Sequence, residues 1–356
     1  MGSFLSVIIS RTPFRISFFG GGTDYPVWYQ ENGGATLATT IAQYCYLTCR
    51  WLPPFFDHNS RIVWSKIELV KDPSEIEHPA VRECLRYLGI EKGIEIHHDG
   101  DLPARTGLGS SSAFTVGLLH ALYGLLRKMP SKRQLALDAI RIEQEFLKEN
   151  VGCQDQVAAA FGGFNRIDFE RGGGIQVSPI LLNGRRLQDL QAHLILAYTG
   201  VSRTASEIAA EQIRATVHKK PELRAIHGMV QEAVRILQNQ EDLDGFGRLL
   251  HEGWKLKRSL TDKISTPLID EIYEAAYRAG ALGGKILGAG GGGFLLLFVR
   301  PEQQPQVQQV LKDLLRVPVQ FENSGSRIIF YEPDQLDETR AESHPVTTQV
   351  EQVRRE

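Results

Sequence analysis

Residues 103–113, Pro-Ala-Arg-Thr-Gly-Leu-Gly-Ser-Ser-Ser-Ala, place small and hydroxyl-bearing side chains directly before an apolar helical pattern. Small residues let a backbone approach a ligand closely, and the N–H groups at the start of a helix favour an anion. Serine hydroxyls at such a turn can bind phosphate oxygens or Mg²⁺. The segment therefore predicts a phosphate-binding loop, whose expected contacts come from Gly107, Leu108, Gly109, Ser110, Ser111 and Ser112.

This loop differs from two other glycine-rich nucleotide motifs. It lacks the Gly-Lys-Ser/Thr of a P-loop, and no Gly-x-Gly-x-x-Gly follows a strand here. An ordinary helix cap is the alternative interpretation, and two further segments count against it. Residues 11–26 end an apolar strand in three glycines and an aspartate, and residues 288–293 form a glycine run before an apolar strand. Such runs cost chain entropy and are useful where backbone passes close to a ligand or another segment.

The three segments, in this order, resemble the GHMP kinase superfamily, which includes galactokinase, homoserine kinase, mevalonate kinase and phosphomevalonate kinase. The resemblance extends from about residue 8 to about residue 333. Four sequence motifs are most similar to those of the D-glycero-D-manno-heptose 7-phosphate kinases. They are FRISFFGGGTDYP, LPARTGLGSSSAF, VGCQDQ and GGKILGAGGGGFLLLF. The resemblance implies an α+β GHMP kinase fold, with a ribosomal-S5-like N-terminal domain, a ferredoxin-like C-terminal domain and the active site in the cleft between them.

The same resemblance implies a reaction and its ligands. ATP and Mg²⁺ are the expected cofactors, and the anomeric hydroxyl of heptose 7-phosphate is the expected acceptor. The product would be the 1,7-bisphosphate, used to make nucleotide-activated heptose for a surface polysaccharide. Two alternatives stay open: another sugar-1-kinase, such as an L-fucokinase, and a non-catalytic sugar sensor, which would have lost its base or its metal ligands.

Two charged residues are expected to act on the reacting groups. Asp155, in Gly-Cys-Gln-Asp-Gln, is the expected base for the sugar hydroxyl, with a helix N-cap as its alternative role. Arg15, which precedes the three glycines, is expected to stabilise the transferred phosphoryl group and the charge of Asp155. An arginine at the rim of a strand is the structural alternative.

The Mg²⁺ ligands are expected to be one serine hydroxyl and one carboxylate. Glu143 lies on or beside an apolar helical stripe within residues 135–146, so its carboxylate must be partly buried and needs a partner. Mg²⁺ prefers oxygen ligands of this kind. Ser111 and Glu143 are the predicted pair, with Ser110 and Glu145 as their rivals and a salt bridge to an arginine as the structural alternative for Glu143.

Asp24 is the predicted anchor of the acceptor, because a carboxylate can accept two hydroxyl hydrogen bonds; a simple turn is the alternative. The Gly-Glu-His of galactokinases is replaced by Gly20-Gly21-Gly22, which argues against galactokinase. The implied substrate-binding residues are Gly21, Gly22, Thr23, Asp24, Tyr25, Arg203, Gly291 and Gly292. For the glycine run 290–293, contact with substrate, support of the phosphate-binding loop and plain tight packing all remain open.

No single cation stands out as the partner of a substrate phosphate. The candidates are Arg105, Arg203, Lys255, Lys257, Arg258 and Lys285, and a solvated helix face is the alternative for most of them. Arg105 is equally placed for nucleotide or sugar phosphate. Trp64 and Ser65 are the weak candidates for an adenine site.

Composition restricts the function classes. The 356 residues predict about two domains, and the formal net charge of −2, without a basic stripe, argues against a nucleic-acid partner. The absence of a long apolar run or a signal-like segment predicts a soluble cytoplasmic protein that does not enter a membrane. The partners expected are small molecules, a sugar phosphate and ATP. Reduced, buried thiols are expected at Cys45, Cys49, Cys84 and Cys153.

Hydrophobic periodicity predicts the elements that position these residues. Strands are expected at 7–19, 34–52, 93–98, 190–198, 317–321 and 326–331. Helices are expected after Ser131, in a capping box with Gln134, and at 204–218, 221–239, 242–260, 266–279 and 302–315. The predicted units are an N-terminal nucleotide-binding domain, a C-terminal domain and a mobile polar tail, at 1–184, 185–333 and 334–356.

Overall fold

The computed structural model describes residues 6–201, 205–239 and 242–332. Arg203 and the tail at 334–356 lie outside the described residues. The strands are β1 (Val7–Phe19), β2 (Gly34–Trp51), β3 (Ser60–Val63), β4 (Ile67–Val70), β5 (Ile94–Gly100), β6 (Phe164–Phe169), β7 (Ile175–Pro179), β8 (Leu194–Tyr198), β9 (Ala281–Ile286), β10 (Phe294–Val299), β11 (Leu315–Val317), β12 (Phe321–Glu322) and β13 (Arg327–Glu332).

Eleven helices lie between these strands in the described part of the chain, four of them in succession between β8 and β9. They are α1 (Pro26–Asn32), α2 (Pro79–Leu88), α3 (Ser110–Leu125), α4 (Lys132–Arg141), α5 (Gln154–Phe161), α6 (Gly184–Ala192), α7 (Ala205–Ala215), α8 (Lys220–Gln238), α9 (Asp244–Arg258), α10 (Pro267–Arg278) and α11 (Gln304–Val310). A π-helical turn, Ile142–Phe146, continues α4. No helix among residues 6–201, 205–239 and 242–332 combines the length and the apolar character that crossing a membrane requires.

The first sheet carries the phosphate-binding loop. Its described strands run in the order β13-β1-β2-β5-β3-β4, with β6 and β12 also paired to β2 and β7 paired to β6. Helix α3 packs on β1 and β2, where an added Cβ at Gly117 would lie 2.7 Å from Thr12 Oγ1. Because α3 lies so close to β1, its N-terminus is held beside Arg15, whose backbone N–H donates to Leu108 O at 3.0 Å.

The second sheet faces the first across the glycine segments. Its described strands run β11-β8-β10-β9 in antiparallel pairs, and β10 is buried along its whole length. Helix α9 packs tightly on β9, because an added Cβ at Gly283 would lie 2.1 Å from Gly247 O. Helices α8 and α9 also contact β1, so they connect the two sheets and form one wall of the cleft.

The last strands return to the first sheet. Strand β13 pairs with β1, beginning at Val7 opposite Glu332, and β12 pairs with β2 at Phe321 opposite Ile41. The predicted division at 184/185 therefore does not separate the two sheets cleanly, since residues 321–332 belong to the sheet that residues 1–184 build. Which distant strands pair depends on the tertiary structure, and hydrophobic periodicity does not predict it.

Two predicted elements are present, β8 within 190–198 and α11 within 302–315, but both are shorter than expected. Residues 184–192, assigned in part to a strand at 190–198, form α6, which Asn183 caps by accepting a hydrogen bond from the N–H of Arg186. The polar stretch 302–315 forms a 3₁₀ turn and the short helix α11, and then enters β11 at Leu315. The four helices expected between 204 and 279 are present as α7 to α10, with ends shifted by a few residues.

The predicted capping box at α4 is half present. The Ser131 side chain accepts a hydrogen bond from the N–H of Gln134 at 3.1 Å. The Gln134 amide does not return to the cap; it donates instead to Asp138 Oδ1 at 2.7 Å. All four cysteines are buried free thiols, as expected.

Candidate active site

The predicted phosphate-binding loop ends at the N-terminus of α3, as expected. Gly107 and Gly109 have positive φ angles of 84° and 73°, in the left-handed region that favours glycine. Gly109 caps the helix without a side-chain cap, so the first N–H groups of α3 remain open to an anion. An added Cβ at Gly109 would lie 3.2 Å from Arg15 Cγ and 3.4 Å from Asp155 Oδ2. The loop therefore lies directly against these two charged residues.

Arg15 and Asp155 form a bidentate ion pair beside that loop. Arg15 Nε and Nη2 donate to the two carboxylate oxygens of Asp155, each at 2.7 Å, and Arg15 Nη1 donates to Gly107 O at 2.6 Å. The Arg15 side chain is 4% exposed, whereas that of Asp155 is 25% exposed. The arginine is therefore a buried support for a carboxylate that remains accessible from the cleft.

Asp155 belongs to the first turn of α5, where the helix dipole favours a negative charge. The N-cap of α5 is Cys153, so the alternative role of Asp155 as the cap is wrong. The neighbouring Gln154 side chain accepts a hydrogen bond from Ser17 Oγ at 2.7 Å, which ties the start of α5 to β1.

Asp24 is buried at the bottom of the same cleft. Its oxygens accept backbone N–H groups of Gly22 at 2.9 Å and of Gln154 at 3.3 Å. Burial, followed by the negative charge of Asp155, raises the pKa of Asp24 above its ordinary value. An added Cβ at Gly152 would lie 1.9 Å from Asp24 Oδ2, so only glycine at 152 allows this position of the carboxylate.

Glu143 lies beneath the start of α3, fully buried. Its Oε2 accepts hydrogen bonds from Ser112 Oγ, at 2.9 Å, and from the Gln156 amide. Within the described part of the chain, Glu143 Oε1 has no hydrogen-bond partner. Burial raises the pKa of Glu143 to about 7. An orphaned carboxylate oxygen beside a phosphate-binding loop fits a divalent cation that is also held by nucleotide phosphates.

The structure separates the rival metal ligands. Glu145 is exposed and pairs with Arg141 at 2.9 Å, so it points away from the loop. Ser111 is exposed, Ser110 is half-buried, and Ser112 is the serine whose hydroxyl contacts Glu143. The structure thus joins Glu143 to Ser112, while the predicted pairing of Ser111 with Glu143 at the metal stays a prediction.

The second glycine run packs on the phosphate-binding loop. An added Cβ at Gly288 would lie 2.6 Å from Gly107 Cα, and one at Gly293 would lie 2.2 Å from Thr106 O. The run therefore supports the loop from the side of the second sheet, which was one of the three open interpretations.

Gly291 and Gly292, predicted to bind substrate, have other contacts. The N–H of Gly291 donates to Ile264 O at 2.8 Å, so this donor is already used. An added Cβ at Gly292 would lie 2.5 Å from Val201 O. These contacts hold the run against the second half of the chain and give no support to a substrate contact from these two glycines.

The other predicted substrate residues lie around the Gly20–Gly22 turn. Gly21 is open, with Gln154 Nε2 at 3.6 Å and Ser17 Oγ as the closest atoms to an added Cβ. The buried Thr23 hydroxyl donates to Gly20 O at 2.8 Å and fixes the turn. Tyr25 is buried, and it lines a small cavity with Gly22. The structure thus divides this segment into structural and accessible positions.

The candidate cations fall into two groups. Lys255 and Arg258 are paired with Glu252 and Asp270 on the outer side of α9, and Arg105 is exposed. Lys257 and Lys285 are each only 7% exposed and lie beside Arg15 and Asp24. Lys255 therefore fits the alternative of a solvated helix face, and the two buried lysines do not.

Trp64, a weak adenine candidate, is linked to the phosphate-binding helix. Its ring lies 4.9 Å from that of His78 in an edge-to-face contact, and His78 stacks on Phe114 at 4.6 Å. Phe114 lies one turn into α3, so this aromatic cluster adjoins the expected nucleotide site. Ser65 is exposed. The contribution of His78 was missed, because an isolated histidine before a helix carries no such signal.

Three further site residues were also missed: Ser17, Gly152 and Gln156. Gln156 carried a signal, because it is a polar residue at the start of an otherwise apolar helical run, Val157-Ala-Ala-Ala, and it is fully buried. Gly152 and Ser17 carried none, since their importance depends on contacts with Asp24 and Gln154 across the fold.

Comparison with known proteins identifies the family. A sequence profile of the GHMP kinases N-terminal domain matches residues 74–163, and one of the GHMP kinases C-terminal domain matches residues 229–316. Together the two matches cover half of the chain. The chain belongs to the GHMP kinase family. The predicted α+β GHMP kinase fold is confirmed.

Several GHMP kinases are similar over nearly the whole chain. A D-glycero-alpha-D-manno-heptose 7-phosphate kinase of Campylobacter jejuni is 27% identical, over 86% of this chain and 94% of that protein. A galactokinase of Pyrococcus furiosus is 26% identical, over 87% of this chain and 94% of that protein. A solved structure of a D-glycero-D-manno-heptose 1-phosphate kinase from Bacteroides thetaiotaomicron has a TM-score of 0.70 and 26% identity, covering 90% of this chain and 98% of that one.

Proposed function

We propose that this GHMP kinase is an ATP-dependent sugar kinase that phosphorylates the anomeric hydroxyl of D-glycero-D-manno-heptose 7-phosphate. The observation that carries the proposal is the contact of Gly109 with both Arg15 and Asp155 at the N-terminus of α3. A phosphate bound by that loop lies next to a carboxylate that is accessible from the cleft. This arrangement suits transfer of a phosphoryl group to a hydroxyl.

The acceptor hydroxyl gains the phosphoryl group of ATP and loses its proton to Asp155. The acceptor oxygen forms a bond to the γ-phosphorus of ATP, the bond from that phosphorus to the bridging oxygen breaks, and ADP leaves. Asp155 accepts the proton of the acceptor hydroxyl. Arg15 holds the Asp155 carboxylate in place through two hydrogen bonds and carries a positive charge beside the transferred group.

Mg²⁺ is held, in this proposal, by Glu143 together with a serine hydroxyl of the loop and the nucleotide phosphates. The unpartnered Glu143 Oε1 is the observation that favours it. When bound, Mg²⁺ neutralises phosphate charge during the transfer. Ser112 is the serine already in contact with Glu143, and Ser111 and Ser110 remain candidates at the opening of the helix.

Overall identity does not select the acceptor, because the heptose 7-phosphate kinase and the galactokinase are 27% and 26% identical to this chain. Three glycines at 20–22 replace the Gly-Glu-His motif of galactokinases and its acidic residue. This replacement favours the heptose phosphate. Two similar proteins act, by name, on heptose phosphates, one on the 7-phosphate and one described as a 1-phosphate kinase.

The decisive experiment is an assay of ADP release with Mg²⁺ and ATP over a panel of acceptors. The panel comprises D-glycero-D-manno-heptose 7-phosphate, the corresponding 1-phosphate, mannose, L-fucose and galactose. We expect turnover on the 7-phosphate, with a 1,7-bisphosphate as product by phosphorus NMR. Preferential turnover on a neutral sugar would keep the kinase and exclude the heptose phosphate; turnover on the 1-phosphate alone would exclude the anomeric hydroxyl as acceptor.

A further inference from the structure

Two buried lysines meet at the end of β1 without a carboxylate in contact with either of them. Lys257 on α9 and Lys285 on β9 are each 7% exposed. Among residues 6–201, 205–239 and 242–332, neither forms an ion pair with Asp or Glu; their hydrogen-bond partners are backbone carbonyl oxygens. Lysines are almost never buried without a partner, because transfer of a charge out of water is costly.

The two ammonium groups retain unused donors. Lys285 Nζ donates to Phe18 O at 3.0 Å, and Lys257 Nζ donates to the carbonyl oxygens of Ile286 and Gly288. An ammonium carries three N–H donors. Within the described structure, Lys285 therefore has two donors to spare and Lys257 has one.

Both lysines line one small pocket that opens to the cleft. Gly20 and Gly21, from the turn that also holds Asp24, form its floor on the side of the first sheet. The remaining wall is apolar and comes mainly from α8 and α9. The lysines are thus the charged groups of this cavity, and they lie next to the turn expected to hold the acceptor.

The local charge is unbalanced. The charged groups that act on Lys257 are Arg15, Asp24, Asp155 and Lys285. Arg15 and Asp155 neutralise each other in their bidentate pair, which leaves two lysines beside the single carboxylate of Asp24. Burial and the charge of Arg15 lower the pKa of Lys257 to about 8, so it still carries a proton at neutral pH. Burial, followed by the charge of Lys257, lowers the pKa of Lys285 well below its ordinary value, so a bound anion would favour the protonated form of both lysines. An anion in the cavity would relieve this repulsion.

We propose that Lys257 and Lys285 bind the phosphate group of a phosphorylated acceptor, while Asp155 receives the proton from its reacting hydroxyl. A phosphate monoester suits this site because it brings nearly two negative charges and three acceptor oxygens to the three spare N–H donors. This inference rests on the proposed function and specifies how the enzyme distinguishes a sugar phosphate from a neutral sugar.

The first test uses Lys285→Gln, with Lys255→Gln as the matched control. Lys255 lies on the outer side of α9 and pairs with Glu252, so its loss leaves the cavity unchanged. For Lys285→Gln we expect kcat/KM to fall about 10- to 100-fold with heptose 7-phosphate, mainly through KM. With unphosphorylated heptose the change is expected to stay below about threefold. Equal losses on both acceptors, or no loss on the phosphorylated one, would overturn the lysine site.

A second test uses inorganic phosphate as the probe, with the wild-type protein and two variants of Lys285. Inorganic phosphate is expected to inhibit competitively against heptose 7-phosphate and not against ATP, and Lys285→Arg is expected to retain this inhibition. Competition with ATP alone would place the anion at the α3 loop and contradict the proposal.

If the wild type turns over no sugar phosphate, the proposed function fails. Calorimetric binding of inorganic phosphate, present in the wild type and lost in Lys285→Gln, would still support the lysine site, and its absence would refute it.

Discussion

Replacing Arg15 by lysine keeps the positive charge and removes the geometry that holds Asp155. The guanidinium makes two hydrogen bonds of 2.7 Å to Asp155 and one of 2.6 Å to Gly107 O. A lysine ammonium on a flexible stem cannot reproduce this planar fork, and we expect it to keep one of the three contacts. Two contacts are therefore lost, one of them to a carboxylate.

The expected loss of stability follows from these contacts. A hydrogen bond to a charged group contributes about 1.5–3 kcal/mol, and a neutral one about 1 kcal/mol. Because Asp155 is 25% exposed, water replaces part of the lost interaction, and we expect the free energy of unfolding to fall by about 2–3 kcal/mol. Urea unfolding with the midpoint and slope fitted separately measures this change.

The effect on catalysis distinguishes a positioning role from a purely structural one. A misplaced Asp155 raises the barrier of the chemical step, so we expect kcat to fall about 10- to 100-fold while KM for ATP changes less than about threefold. Arg166→Lys is the matched control, because Arg166 also forms a bidentate pair, with Asp168 on β6. A kcat within threefold of wild type for Arg15→Lys, despite the same loss of stability, would refute the reasoning.

Three other expectations concern single groups of the site. Gly152→Ala should raise KM for the acceptor at least about tenfold, with KM for ATP unchanged, because the new methyl group displaces Asp24; equal KM values in steady-state kinetics would contradict this contact. Glu143→Gln should raise the Mg²⁺ concentration for half-maximal rate about tenfold without loss of thermal stability, since a buried charge is removed; an unchanged Mg²⁺ titration would show that Glu143 does not hold the metal. Because the pKa of Lys257 is lowered to about 8, KM for a sugar phosphate should rise above that pH. The unfolded chain then binds more protons than the folded one, so the free energy of unfolding should increase with pH from about 8 up to the ordinary lysine pKa. Lys257→Met should weaken both trends, and the lowered pKa of Lys285 accounts for the part that remains.

The sequence by itself determined the features that depend on neighbouring residues. The glycines at 107 and 109 and the serines that follow predict a phosphate-binding loop, because positive φ angles and a helix N-terminus are local properties. The apolar spacing between 204 and 279 predicts the four helices for the same reason. The sequence motifs also indicated the family, because three glycine-rich segments in this order are distinctive of the GHMP kinases.

The tertiary structure decided how side chains from distant segments meet. The π-helical turn Ile142–Phe146 carries the buried Glu143 and the exposed Glu145, and Ser112 is the serine whose hydroxyl contacts Glu143. A wider turn changes which residues face the core, and a pattern read with the regular helical period does not contain that change. The sequence therefore predicted a serine next to Glu143 but could not tell which of the three serines it is.

The lysine site and the pairing of the last strands with the first sheet also could not be predicted from the sequence pattern, because both depend on contacts between distant segments. Lys257 and Lys285 come from a helix and a strand, and both reach the end of β1, which the chain formed more than two hundred residues earlier. Strand β13 likewise pairs with β1. Hydrophobic periodicity tells which face of an element is buried, and it carries no information about which distant element covers that face. Only the packed structure could decide which charges share the cleft.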